Sequence, residues 1–160
     1  MAIVSRQGVI FAHEHIKDKI MRKLLSLFVV CLVSALAVAQ EARPFDVEIK
    51  NDEHKIYIKM NLYDKDVTVA GQDVLGQMDG YIGSTQSTGK WFIVASRVVK
   101  EDEAEVEVVN DYGSEEFTAT IKANADGTYT YNKKGGSTLK FAVKGKWQKI
   151  PGKVEMVKKK

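Results

Sequence analysis

"EAEVEVVNDYGSEEFTATIKA", residues 103–123, is the stretch on which the fold turns. Ala104, Val106 and Val108 alternate with Glu103, Glu105 and Glu107. Across the polar link NDYGSE (110–115) the same rhythm resumes at Phe117, Ala119 and Ile121. Successive side chains of an extended chain point to opposite faces, so each run has one apolar and one polar face. A link this short joins antiparallel neighbours, because a parallel return needs a crossover of about a dozen residues or more.

The pattern spreads in both directions. Phe45, Val47 and Ile49 alternate with Asp46, Glu48 and Lys50, and Ile56, Ile58, Met60 and Leu62 alternate with Tyr57, Lys59, Asn61 and Tyr63. A short run at Val67 to Val69, a Gly-bearing segment from Gln77 to Gly83 and the nearly continuous KWFIVASRVV follow, and Leu139, Phe141 and Val143 close the series. In ADGTYTYNKKGGSTLKF (125–141), Asp126-Gly127 and Lys134-Gly135-Gly136 read as turns. Tyr129 and Tyr131 then share the apolar face. No window reads as a helix. The expectation is an all-β, single-domain antiparallel meander of about ten short strands, closed or partly closed as a barrel, with a two-layer sandwich as the alternative.

The first 40 residues are of another kind. MRKLLSLFVVCLVSALAVAQ from Met21 has a basic start, an apolar run from Leu24 to Ala37 and the small-residue pattern Ala37-Val38-Ala39. It reads as a secretory signal over 21–39 with cleavage between Ala39 and Gln40, preceded by an upstream extension, 1–20, from a mis-assigned start. The apolar run is shorter than the roughly 20 residues a membrane span needs. Localisation is expected to be secreted or periplasmic, with no membrane span after cleavage. Cys31, the only cysteine, lies inside that run, so the domain at 40–160 must be stabilised by its core and not by disulfides.

Of 24 basic and 21 acidic residues, five and two precede Gln40, which leaves 19 of each in the domain. The two halves differ: Gln40–Glu116 holds 8 basic and 17 acidic residues, Phe117–Lys160 holds 11 and 2. Either a basic face meets an acidic glycan, lipopolysaccharide or nucleic acid, or acidic strands pair with basic ones across the sheet. Zero net charge favours internal pairing, and nucleic acid is not expected as a partner.

Hairpins sort loops to alternate ends. One end is expected to carry NDEH, VLGQ, KEDE, NADG and KGK. The other would collect Asp64 and Lys65, Ser84 to Lys90, Asn110 to Glu115 and Asn132 to Ser137. This second end has the longer loops, where binding groups are usually found. Its candidate ligand-binding residues are Trp91, Asn110, Asp111, Tyr112, Glu115, Lys133 and Lys134. An aromatic face among amides, carboxylates and lysines suits a sugar or a peptide, although NDYGSE also reads as a well-made turn.

Catalytic signals are weak. His54 sits in a turn with no nucleophile pattern nearby, and most acids occupy solvent-facing strand positions or turns, as at Glu101, Asp102, Glu103, Glu105, Glu107, Glu115 and Glu116. Asp64-x-Asp66 lacks the further oxygen ligands of a calcium loop. There is no phosphate-binding, zinc or dinucleotide motif, so no catalytic residue, metal or cofactor is expected.

GKWFIVAS, Gly89 to Ser96, resembles the G-x-W signature that opens the first strand of lipocalins, the ligand-carrying calyx barrels. The likeness covers eight residues, with about fifty residues of the domain before it and 64 after, so no family is assigned. GKW recurs at 145–147, and Trp91 and Trp147 are both expected as core plugs. The functional expectation is a non-catalytic, monomeric binding protein whose ligand, a small amphiphile or glycan, meets loops at one end of the barrel. The alternatives are an assembly or inhibitor module docking an envelope protein, and a small hydrolase using paired carboxylates.

Overall fold

The structure, a computed structural model, describes residues 21, 42–71, 74 and 76–159. The expected extension, signal segment and cleavage point therefore lie, Met21 apart, outside the described residues. Twelve strands follow in order: β1 (Asp46–Asn51), β2 (Ile56–Asn61), β3 (Val67–Thr68), β4 (Gln77–Met78), β5 (Gly80–Ser84), β6 (Ser87–Lys100), β7 (Glu103–Asn110), β8 (Glu116–Ala123), β9 (Tyr129–Gly136), β10 (Lys140–Val143), β11 (Lys146–Lys149) and β12 (Lys153–Lys158).

Eight of them close into a barrel in the order β1-β12-β9-β8-β7-β6-β5-β2, every pairing antiparallel. The barrel, not the sandwich, is the answer to the sequence pattern. The remaining four strands form two hairpins, β3-β4 and β10-β11, inserted at opposite rims.

Period-two alternation builds the interior. Ile49 lies opposite Ile58, Ile58 opposite Ile82 and Ile82 opposite Trp91. On the far side Ala104, Ile121, Tyr131 and Val154 are successive partners. Phe45, Ile49, Ile93, Val108 and Ile121 are fully buried. Each such side chain contributes about 1.5–3 kcal/mol on leaving water. An eight-stranded barrel is just wide enough for its side chains to fill, and here Trp91, Phe117, Tyr129, Tyr131 and Phe141 fill it. The tyrosines are wall, as their register implied. Tyr129 donates from its hydroxyl to the Pro44 carbonyl oxygen at 2.8 Å, whereas the Tyr131 hydroxyl is buried without a partner among the described residues. Among the described residues, every member of the core cluster lies between Phe45 and Met156.

Two sequence readings need correction. Gln77 to Gly83 is not one strand but two, split at Asp79, where the chain passes from the inserted hairpin into the barrel. Asp79 is buried and satisfied from both sides, by the Lys65 ammonium at 2.8 Å and by the Ser96 hydroxyl. That extra strand shifts the parity of the early loops. One rim therefore holds 52–55 (with NDEH), 85–86, 111–115 and the β10-β11 insertion with KGK. The other holds 62–71, 76–79, 101–102, 124–128, the start of β1 and the end of β12. Asp64 and Lys65 thus lie opposite the rim expected for them, and NDEH and KGK change sides as well.

The second correction is NKKGGS. Asn132 to Gly136 belongs to β9, and β8 pairs Thr118 with Gly135 and Ala119 with Lys133, so Lys134 is a bulge.

Candidate functional site

A cleft of about 330 Å³ opens on the rim that carries the β10-β11 hairpin. Its floor is Trp91 and Phe141, both continuous with the core. One wall is the turn between β7 and β8, with Tyr112 standing 81% exposed. Opposite is the outer face of β10-β11, with Lys140, Ala142 and Trp147, the last 61% exposed. Residues 86–90 close a third side.

The turn is built by its own side chains. The Asn110 carboxamide oxygen accepts from the Ser114 and Glu115 backbone N–H groups at 2.9 and 3.3 Å, and its amide donates to the Ser114 hydroxyl at 3.2 Å. Gly113 takes the left-handed conformation (φ +69°) and donates to the Asn110 carbonyl at 3.0 Å. Asp111 ties the turn to β6: its carboxylate accepts from the Lys90 N–H at 3.2 Å and its own N–H donates to the Lys90 carbonyl at 3.0 Å. Asx chemistry of this kind sets the backbone locally and leaves Tyr112 projecting from the tip.

The hairpin is fastened at three points. The Trp91 indole N–H donates to the Lys140 carbonyl at 3.0 Å, the Lys140 ammonium meets the Glu115 carboxylate at 2.9 Å, and the Gln148 amide reaches the His54 carbonyl at 3.5 Å. Leu139, Phe141 and Ile150 anchor it in the core. The Lys140 ammonium also stands 5.0 Å from the centre of the Trp147 ring. Both aromatic walls are therefore positioned by polar contacts while their faces remain open to solvent.

Of the residues named from sequence, Trp91, Asn110, Asp111, Tyr112 and Glu115 meet at this cleft. Asn110 is consumed by its turn, and Trp91 is floor and core plug together. Lys133 and Lys134 do not join them, because their segment is strand. The Lys133 ammonium donates to the Gly136 carbonyl at 2.9 Å, and Lys134 lies on the barrel's outer wall beside Thr118 and Thr120.

Lys140 and Trp147 were missed, and Trp147 is not the core plug expected. Its placement follows from the turn at Lys144-Gly145, which sets Val143 opposite Lys146 and Ala142 opposite Trp147. With Phe141 facing inward, Trp147 must face outward.

Other depressions are lined differently. One of about 630 Å³ lies among outward side chains including Arg97, Glu105, Glu107 and Thr118, and one of about 470 Å³ among Asp46, Glu48, Lys59, Asp64 and Asp66. Neither contains an aromatic residue. Two acids of the outer wall are engaged in ion pairs, Glu105 with Arg97 at 2.7 Å and Glu103 with Lys100 at 2.9 Å, and Lys100 holds the Glu103 carboxyl below its usual range. Two carboxylates, Asp111 and Glu115, do converge on the cleft, each held by the contacts just described.

Comparison with known protein families, curated proteins and solved structures finds no match to this chain. The chemistry of the cleft therefore rests on its own residues.

Proposed function

We propose that this chain is an exported, non-catalytic binding protein and that the rim cleft holds a glycan. The observation that carries the reading is the pair of solvent-facing aromatic rings, Tyr112 and Trp147, on facing walls of one cleft. Sugar rings present apolar C–H faces and hydroxyl edges. An aromatic face takes the first, and carboxylates, hydroxyls and backbone groups such as those of Asp111, Glu115, Ser87 and Thr88 take the second. The packed interior favours this over an amphiphile carrier, since the barrel axis is occupied by Tyr129, Tyr131 and Phe117. Export rests on the apolar run and small-residue pattern ahead of Gln40.

The test is calorimetric titration of residues 42–160 with a panel of neutral oligosaccharides, with Trp147 fluorescence as a second signal. Binding should weaken about tenfold or more in Tyr112→Ala and in Trp147→Ala, an expectation built on stacking worth about 1 kcal/mol plus the lost ring area. Both variants should keep a cooperative melt. No binding by any sugar, or affinity untouched in both variants, would remove the reading. Cleavage of the bound sugar would replace it with the hydrolase alternative, through Asp111 and Glu115.

A further inference from the structure

The two-residue turn of the β10-β11 hairpin carries a second feature. Between residues 127 and 154 the chain has no Asp or Glu and seven lysines, Lys133, Lys134, Lys140, Lys144, Lys146, Lys149 and Lys153. Pairing with the acidic half accounts for little of this excess. Lys122, Lys140 and Lys159 reach Asp102, Glu115 and Glu48, but no ion pair to Lys144, Lys146 or Lys149 occurs among the described residues. All three are exposed, as is Trp147 between them.

The local geometry projects this cluster outward. Lys144 and Gly145 both adopt positive φ, +50° and +75°, which makes a tight hairpin turn whose twist suits the flanking strands. A Cβ placed on Gly145 would meet nothing within 4 Å, so the turn itself is open. Its base is fixed by Phe141 and Ile150 in the core. KGKWQK (144–149) is thus an exposed cationic hairpin end whose amphipathic ring, Trp147, also borders the cleft opposite Tyr112.

Exposed lysines without carboxylate partners among the described residues, beside an exposed tryptophan, suit an extended anionic surface. Lysines near such a surface gain about 1 kcal/mol each, and tryptophan settles at headgroup depth. We propose that the β10-β11 tip docks the domain onto an anionic membrane surface, Lys144, Lys146 and Lys149 meeting lipid phosphates and Trp147 entering the interface. This surface shares Trp147 with the glycan cleft, but none of the three lysines lines that cleft and Tyr112 is no part of the tip. The lysine variants test the membrane reading and Tyr112→Ala the glycan reading, so the two can fail separately.

The experiment uses residues 42–160, which hold every described member of the core cluster, because the apolar run before residue 40 would bind lipid by itself. Vesicles of pure phosphatidylcholine are compared with vesicles containing phosphatidylglycerol, by co-sedimentation and Trp fluorescence. The expected result is binding to the anionic vesicles alone, weakened at least tenfold by raising salt from 50 to 500 mM, with a blue shift of Trp147 that is absent in Trp147→Phe. Lys144→Glu/Lys146→Glu/Lys149→Glu should abolish partitioning while leaving thermal melting cooperative. Lys144→Gln/Lys146→Gln/Lys149→Gln should reduce it at least tenfold and covers the case in which charge reversal disturbs the fold. Equal binding to both vesicle types, absence of binding, or partitioning that survives either triple variant would overturn the proposal. So would binding to heparin with none to vesicles, which would make the partner a soluble polyanion.

Discussion

The Lys140 ammonium lies 2.9 Å from the Glu115 carboxylate and joins the turn after β7 to the hairpin that faces it across the cleft. Both side chains are about two-thirds or more buried, 25% and 31% exposed, so the pair is less screened than the other surface pairs. Lys140→Met should cost the fold about 1 kcal/mol or less by chemical denaturation. Its larger effect should be local: amide exchange at residues 111–115 should accelerate relative to the β7 and β8 strands. Unchanged exchange would show that the Asn110 contacts hold the turn unaided.

The two interior tyrosines should respond oppositely to loss of their hydroxyls. Tyr131→Phe removes a buried group that has no hydrogen-bond partner among the described residues, so stability should be unchanged or rise by up to about 1 kcal/mol. Tyr129→Phe removes the 2.8 Å bond to the Pro44 carbonyl and should cost about 1 kcal/mol. Urea melts of the two variants side by side check the contrast, and equal losses would mean that the Tyr131 hydroxyl is satisfied.

Gly136 and Gly145 both adopt positive φ, +79° and +75°, yet alanine should be tolerated very differently. At Gly145 the new Cβ enters open space, and the cost is the backbone preference alone, about 1 kcal/mol. At Gly136 it would meet the Glu116 carbonyl and stand 2.7 Å from Phe117 Cα, backbone atoms in a paired strand that cannot turn aside. The loss should be severalfold larger, and melting temperatures of the two variants measure the difference.

Stability should fall at both ends of the pH scale. The Asp126 carboxyl is held below its usual range, first by the Thr128 hydroxyl and then by the Thr128 N–H, and Asp64 is held low by Arg43. A carboxyl depressed in the folded state contributes stability that is present above about pH 4 and is lost as pH falls through the folded value. At the alkaline end the sign reverses. Burial raises the Tyr131 and Tyr129 hydroxyls, so their contribution is present below about pH 10 and is lost as pH rises beyond it. Absorbance at 295 nm should show these two tyrosines ionising only with unfolding. Asp126→Asn should lessen the acid-side loss.

Much of the fold can be read directly from the chain. The stripe of Ala104, Val106, Val108, Phe117, Ala119 and Ile121 faces inward as its spacing requires, and Tyr129 and Tyr131 continue it. The turn at Asn110 to Glu115 also follows from its residues, since Asn110, Asp111 and Gly113 each set nearby backbone. Where the reading failed, the deciding contact was remote. Asp79 breaks a strand because Lys65 and Ser96, 14 and 17 residues away, come to its carboxylate. Lys134 becomes a bulge only because β8 pairs on either side of it.

Alternation is a property of neighbouring residues, so the sequence alone determined an antiparallel all-β domain and which side of each strand is apolar. Which loops share a rim depends on the number of strands between them, and a single split at Asp79 reverses it. Tertiary structure alone decided that Trp147 would face Tyr112, because the hairpin bearing it is oriented by Phe141 and Ile150 entering the core and by Lys140 reaching Glu115. Burial of the apolar side left the aromatic ring on the other with nowhere to go but the cleft.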